Sequence, residues 1–190
     1  RLSIFDTSDN GHMPMKSKDG RFIISYNGEI YNWKEIRKDL KFNNWRSETD
    51  TETVLYSYIE KGPECLKLFR GMFSISIYDA RSKELFIARD RLGIKPLFYF
   101  DDGRRLIFAS EIKAILACHV DRTVNVPAIR SYLSLGYIPH TTSAFAGITP
   151  LLPGHYLRVS EEKTETNCWW QMDNRAADLF DEDEAAALFL

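Results

Sequence analysis

No apolar run in this sequence is long enough to span a bilayer, which excludes a helical membrane anchor within it. No secretory signal pattern opens it, and the first residue is Arg1 where a natural start would carry methionine. The chain is therefore expected to have lost its beginning. Charge of one sign is lacking too: the formal net charge is −2, with acids and bases interspersed. That excludes the broad electrostatic footprint of a nucleic-acid or anionic-membrane binder. Cysteine is scarce. Cys65, Cys118 and Cys168 are scattered and odd in number, so they make neither a disulfide framework nor a metal-ligand spacing. They are expected to be reduced, buried thiols of a cytoplasmic protein. His12, His119, His140 and His155 are equally dispersed and form no metal cluster. Repeats and low-complexity tracts are absent. What remains is 190 residues with 44% apolar content, enough for one compact domain with a sizeable core.

The stretch around which the chain is organised is Tyr26-Asn27-Gly28-Glu29-Ile30-Tyr31-Asn32. It follows the apolar run Phe22-Ile23-Ile24 and precedes a helical pattern. It reads as a strand ending in a tight turn, with Gly28 freeing the backbone. Such a turn presents a backbone N–H and a side-chain amide together, the two donors an oxyanion hole needs. By itself Asn-Gly is more often only a turn.

In order, Arg1 to Phe5 reads as a strand, and Ser17 to Gly20 as a hairpin turn into a strand from Arg21 to Tyr26. Asn32 is expected to cap a helix carrying Trp33, Ile36 and Leu40. Thr49 or Asp50 is expected to cap the next, whose stripe is Val54, Leu55, Tyr58 and Ile59 and whose stop is Gly62-Pro63. A short helix from Glu64 to Phe69 follows. Phe73, Ile75 and Ile77, then Leu85 and Ile87, then 97–100 and 106–109 read as hairpin-linked, antiparallel strands. Several carry apolar residues on both faces, which predicts a sheet covered on both sides. Short helices are expected at 111–117 and from Asn125, the latter with Ile129, Tyr132 and Leu133 as its stripe. His155 to Val159 reads as a strand, Glu161 to Lys163 as a turn, and Trp169-Trp170 as a packed tail. Asp181 to Leu190 reads as the start of a further helix.

Three separated places offer groups for one small polar ligand. Arg1 can pair bidentately with a carboxylate. Asp50, with Glu29, can hold an ammonium. The Asn27 amide and the Gly28 N–H can receive an oxyanion. An α-amino acid with a side-chain carbonyl would satisfy all three, but sequence spacing does not bring the places together. Each group also has a plainer role: Arg1 in an edge ion pair, Asp50 as a helix cap, Glu29 in a solvated turn. Arg89-Asp90-Arg91 reads as a structural ion-pair turn, and the thiols as core fillers.

Arg1-Leu2-Ser3-Ile4, Asn27 to Asn32, Ser47 to Glu52, Arg89 to Leu97 and Leu152-Pro153-Gly154-His155-Tyr156 stand in this order. Together they resemble the glutaminase domain of glutamine-hydrolysing asparagine synthetases and their relatives, the class II glutamine amidotransferases. The resemblance covers residues 1–170 and leaves 171–190 as a linker and helix leading into an ATP-using synthetase domain. It implies an α+β fold: a four-layer αββα sandwich of two mostly antiparallel sheets between helices, the N-terminal-nucleophile hydrolase fold. It further implies that Arg1 binds the carboxylate of L-glutamine, with Leu2 and Ile4 in the same pocket. Glu29 and Asp50 would hold the amino group, and Asn27 and Gly28 would form the oxyanion hole. An N-terminal cysteine would attack the side-chain amide and release ammonia. That cysteine precedes the Arg1 motif in the family, so the sequence as it stands is expected to be inactive; Cys65, Cys118 and Cys168 are internal. The implied partners are L-glutamine and the synthetase domain, with no nucleic acid and no membrane, and a homodimer is compatible. No cofactor is implied here, while ATP and magnesium belong to the synthetase domain, whose Ser-Gly-Gly-x-Asp-Ser loop this sequence lacks. Two alternatives stand beside an asparagine product: an amidotransferase for a sugar or secondary-metabolite acceptor, and a non-catalytic glutamine-binding or regulatory domain.

Overall fold

A computed structural model describes residues 11–172. The expected strand at Arg1 to Phe5 and helix at Asp181 to Leu190 lie outside the described residues. Two antiparallel sheets dominate. The larger has the order β1-β2-β3-β4-β8-β9, from Met15–Lys16, Phe22–Ile30, Gly71–Asp79, Glu84–Arg89, His155–Val159 and Thr164–Cys168. The smaller has the order β6-β5-β7, from Leu106–Ala109, Phe98–Asp101 and Ile148–Pro150.

Three apolar clusters separate four layers. The first lies between the large sheet and helices α1 (Trp33–Asp39) and α2 (Asp50–Lys61), with Ile24, Tyr26, Ile30, Phe73, Ile75 and Ile77 facing Trp33, Ile36, Val54 and Leu55. The second lies between the sheets, where Ile87 and Leu157 meet Leu97 and Leu151. The third packs Ile115 of α3 (Ile112–Leu116) on Ile148, Phe98 and Phe100 of the small sheet. Helix, sheet, sheet, helix is the αββα sandwich, and it explains why strands carry apolar residues on both faces.

Local chemistry sets the element ends. Thr49 caps α2 by accepting from the Glu52 N–H, and Gly62 ends it at φ 56°. Buried Glu52 reaches back to the Ser47 N–H at 2.9 Å, so the turn before the helix is fixed with it. At the outer end of the β2–β3 pair, Arg21 grips Asp79 through two bonds of 2.9 and 2.6 Å, which hold the Asp79 carboxyl far below the usual range.

Several expectations change. Asn32 precedes α1 without capping it; its side chain instead donates to Leu68 O and accepts from the Arg70 N–H. In α2, Ile59 is exposed, and Tyr56, stacked on Phe42, is buried in its place. In place of the short helix expected from Glu64 to Phe69 stands a 3-10 helix at Gly62–Leu68, with Pro63 in its first turn and Phe69 already extended beyond it. Helix α4 (Val126–Leu135) is capped by Asn125 as its sequence suggests, but it buries Ala128 and leaves Tyr132 and Leu133 in solvent. Arg89-Asp90-Arg91 is structural but is no ion-pair turn. Asp90 accepts the N–H groups of Phe73, Leu92, Ile94 and Lys95, while Arg89 donates to the carbonyls of Gly93, Lys95 and Leu151. Of the thiols only Cys65 is buried, its pKa pushed up by desolvation; Cys118 and Cys168 are exposed and fill no core.

Candidate active site

Asn27 and Gly28 lie inside β2, not in a turn after it. The strand runs unbroken to Ile30, and Asn27 and Gly28 stand opposite Ser74 and Phe73 of β3. Gly28 is therefore required for a different reason. A Cβ there would lie 2.2 Å from Met72 O and 2.7 Å from Phe73 Cα, and one on Gly71 would lie 2.0 Å from Glu29 O. The two strands approach too closely at this end for any side chain in the gap.

The register decides where the Gly28 N–H points. Ala80 N bonds Arg21 O at 2.9 Å and Tyr31 N bonds Arg70 O at 2.8 Å. The odd-numbered residues of β2 thus make the bonds to β3. Tyr26, Gly28 and Ile30 direct their backbone groups to the opposite edge. There β1 pairs only as far as Ile24. Beyond Ile24 no strand among the described residues covers that edge, toward which the Gly28 N–H points.

Asp50 sits at the same margin. It begins α2, is 4% exposed, and its Oδ2 accepts from the Ile30 N–H at 2.9 Å and from the Tyr26 hydroxyl at 2.7 Å. Burial pushes its carboxyl above the usual range, partly offset by those bonds and by backbone N–H groups at the helix start. The Tyr26 hydroxyl is held far above its ordinary value, chiefly by burial and then by the adjacent carboxylate, so it stays a donor. Arg37 ties α1 to this helix start by donating to Thr53 Oγ1, Ser47 O and Thr49 O, which fixes Asp50 against the strand.

Asn27 turns the other way. Its side chain leaves the inner face of the sheet and donates to Ser110 Oγ at 3.4 Å, across a cleft of about 180 Å³. Ser25, Ser74 and Ser76 line the near wall, Leu97 and Phe108 the far one. Glu29 projects from the same face as Asn27 and makes no hydrogen bond or ion pair among the described residues. The fold thus brings Gly28 N–H and Asp50 together on one edge, with Asn27 beside them facing the cleft. Arg1, Leu2 and Ile4 lie outside the described residues. Sequence reasoning missed Tyr26 and Ser110. Strand alternation, which puts Tyr26 with Ile30 on the face toward α2, is the signal that could have found Tyr26; nothing in the sequence singles out Ser110. Among the described residues no group of His, Cys, Asp and Glu is placed to hold a metal ion, and no helix is long and apolar enough to cross a membrane.

Helices on the outer faces of two stacked antiparallel sheets are the architecture of the N-terminal-nucleophile hydrolase fold. The likeness to a solved glutamine phosphoribosylpyrophosphate amidotransferase from Bacillus subtilis has a TM-score of 0.62 at 16% identity, over 92% of this chain and 35% of that one. This fixes the fold alone. Residues 1–170 match the family model described as glutamine amidotransferase domain, and the chain belongs to that family. It is 38% identical to asparagine synthetase [glutamine-hydrolyzing] 2 of Bacillus subtilis, over 92% of this chain and 24% of the relative. It is 39% identical to a putative asparagine synthetase [glutamine-hydrolyzing] 2 of Methanocaldococcus jannaschii, over 90% of this chain and 37% of that protein. The chain thus spans a quarter to just over a third of these relatives' length.

Proposed function

We propose that this domain binds L-glutamine along the open edge of β2 and releases its side-chain nitrogen as ammonia, for amide synthesis with asparagine as the product. The reading rests on one observation: the Gly28 N–H and the Asp50 carboxylate share a strand edge, two residues apart. Two residues of strand cover about 6–7 Å. The four bonds between the amide carbon and the α-nitrogen of an extended glutamine cover about 5 Å. A ligand with its ammonium on Asp50 then has its amide oxygen within reach of the Gly28 N–H, and the Asn27 amide, now 3.4 Å from Ser110 Oγ, would turn from that partner to be the second donor. In the family chemistry a cysteine thiolate adds to the amide carbon, the oxyanion forms against these donors, ammonia leaves, and water cleaves the thioester.

Acceptor activation, with its ATP and magnesium, is assigned to a further synthetase domain, since the relatives are so much longer than this chain. The exposed apolar side of α4 (Tyr132, Leu133 and Leu135, continued by Tyr137) is proposed as the seat of that domain. A cytoplasmic setting, where glutamine and ATP meet, goes with this reading. The test is titration of the full-length polypeptide with L-glutamine. Saturable binding that Asp50→Asn weakens more than tenfold is expected. Equal affinity in Asp50→Asn would remove the ammonium role.

A further inference from the structure

Two donors converge on a single oxygen of Asp50, and only one of them belongs to the backbone. The Tyr26 hydroxyl is 2.7 Å from Oδ2 and the Ile30 N–H is 2.9 Å from it. No other side chain among the described residues bonds that carboxylate. Tyr26 is itself 5% exposed, wedged between the large sheet and α2, so its hydroxyl has little freedom to turn elsewhere. The Ile30 bond anchors Oδ2 to the strand, and a second bond fixes the rotation of the carboxylate about its own axis.

We propose that Tyr26 is a positioning residue that holds the Asp50 carboxylate ionised and aimed along the open edge of β2, and so sets selectivity for a ligand bearing an α-ammonium. The inference rests on the glutamine reading above and adds a residue to it. An unpaired buried carboxylate takes up a proton readily. A hydroxyl donated to the charged form opposes that, and burial keeps the hydroxyl protonated across the physiological range. Removing it leaves the fold one bond poorer. It also leaves Asp50 easier to protonate and freer to rotate.

The test uses the full-length polypeptide, with L-glutamine and with glutaramate, the same molecule without the α-amino group. Tyr26→Phe is expected to weaken L-glutamine roughly tenfold and to leave glutaramate unchanged, since a hydrogen bond to a charged group is worth about that much. The acid limb of L-glutamine affinity, where Asp50 takes up its proton, should move up by about one pH unit. In an Asp50→Asn background the same substitution should cost nothing further for L-glutamine. Equal losses for both ligands, or an unmoved acid limb, would show a merely structural tyrosine and overturn the inference. Should Tyr26→Phe fail to fold, 3-fluorotyrosine at position 26 keeps the shape and donates more strongly; the acid limb must then move down, and no movement overturns the inference. If the unmodified polypeptide binds neither ligand, the glutamine reading itself falls. Binding of glutamine with a silent Tyr26 removes only the positioning role.

Discussion

Gly28 shows how one residue type can serve two different physical needs. A glycine before a helix suggests a left-handed turn, yet here the constraint is lateral: Met72 O stands 2.2 Å from where a Cβ would be. Gly28→Ala must push β3 away or twist β2, and either displaces the N–H offered at the open edge. A loss of about 1–3 kcal/mol is expected, the usual cost of overpacking a close-packed site. Gly103→Ala is the control. It has φ +77° but nothing within 4 Å, so it carries only the strain of a left-handed backbone, about 1 kcal/mol. Urea midpoints of the two variants check the ranking; a Gly28→Ala variant as stable as wild type would refute the steric account. Asp50 was legible as a cap or a binder because an acid at a helix start suits both roles. Thr49 takes the cap, which releases Asp50 for the strand edge. Its partner Tyr26 could not be read, because pairing a helix start with a strand twenty-four residues away needs the packed fold.

At the scale of elements, the sequence speaks clearly where burial alternates and poorly where it does not. Strand β3 alternates, with Phe73, Ile75 and Ile77 in the core toward α2 and Ser74 and Ser76 on the cleft, whereas β4 runs Leu85-Phe86-Ile87-Ala88 because Phe86 and Ala88 face one core and Ile87 the other. Strand β9 reads Thr-Glu-Thr-Asn-Cys, an exposed edge with no apolar face, so only its ladder with β8 identifies it. Strand β7 has three residues ending in Pro150, tolerated because β7 lies at the edge of the small sheet. The 90–96 loop misleads in the opposite sense, since alternating charges suggest ion pairs. Its side chains instead satisfy backbone groups, four N–H donors on Asp90 alone. Asp90→Asn keeps the shape but turns an NH₂ toward two of those donors. A cost of about 2–4 kcal/mol is expected, with the Ile94 and Lys95 amides exchanging faster by hydrogen-exchange NMR. A variant with unchanged midpoint and protection would show that the loop is held by Arg89 alone.

For the whole molecule, what the four layers leave uncovered matters as much as what they bury. Helix α4 has an apolar face as regular as that of α2, yet Leu133 is 78% exposed and Tyr132, Leu135 and Tyr137 are each more than half exposed. A contiguous apolar face of this kind on a folded domain marks a contact surface. The relatives carry roughly two to three further lengths of polypeptide, so the proposed occupant is their synthetase domain and not a second copy. The two halves of this proposal separate in one variant. Leu133→Asp removes no packed contact within this domain, and its stability should stay within about 0.5 kcal/mol of wild type. In the full-length polypeptide the same change places a charge in a desolvated interface. Glutamine-dependent asparagine formation should then fall several-fold, while formation from added ammonia is retained, because only transfer between the domains needs the contact. Loss of both activities would place Leu133 in the synthetase chemistry instead. Loss of neither would free the face for another partner, and sedimentation that varies with concentration would identify that partner as a second copy of the chain.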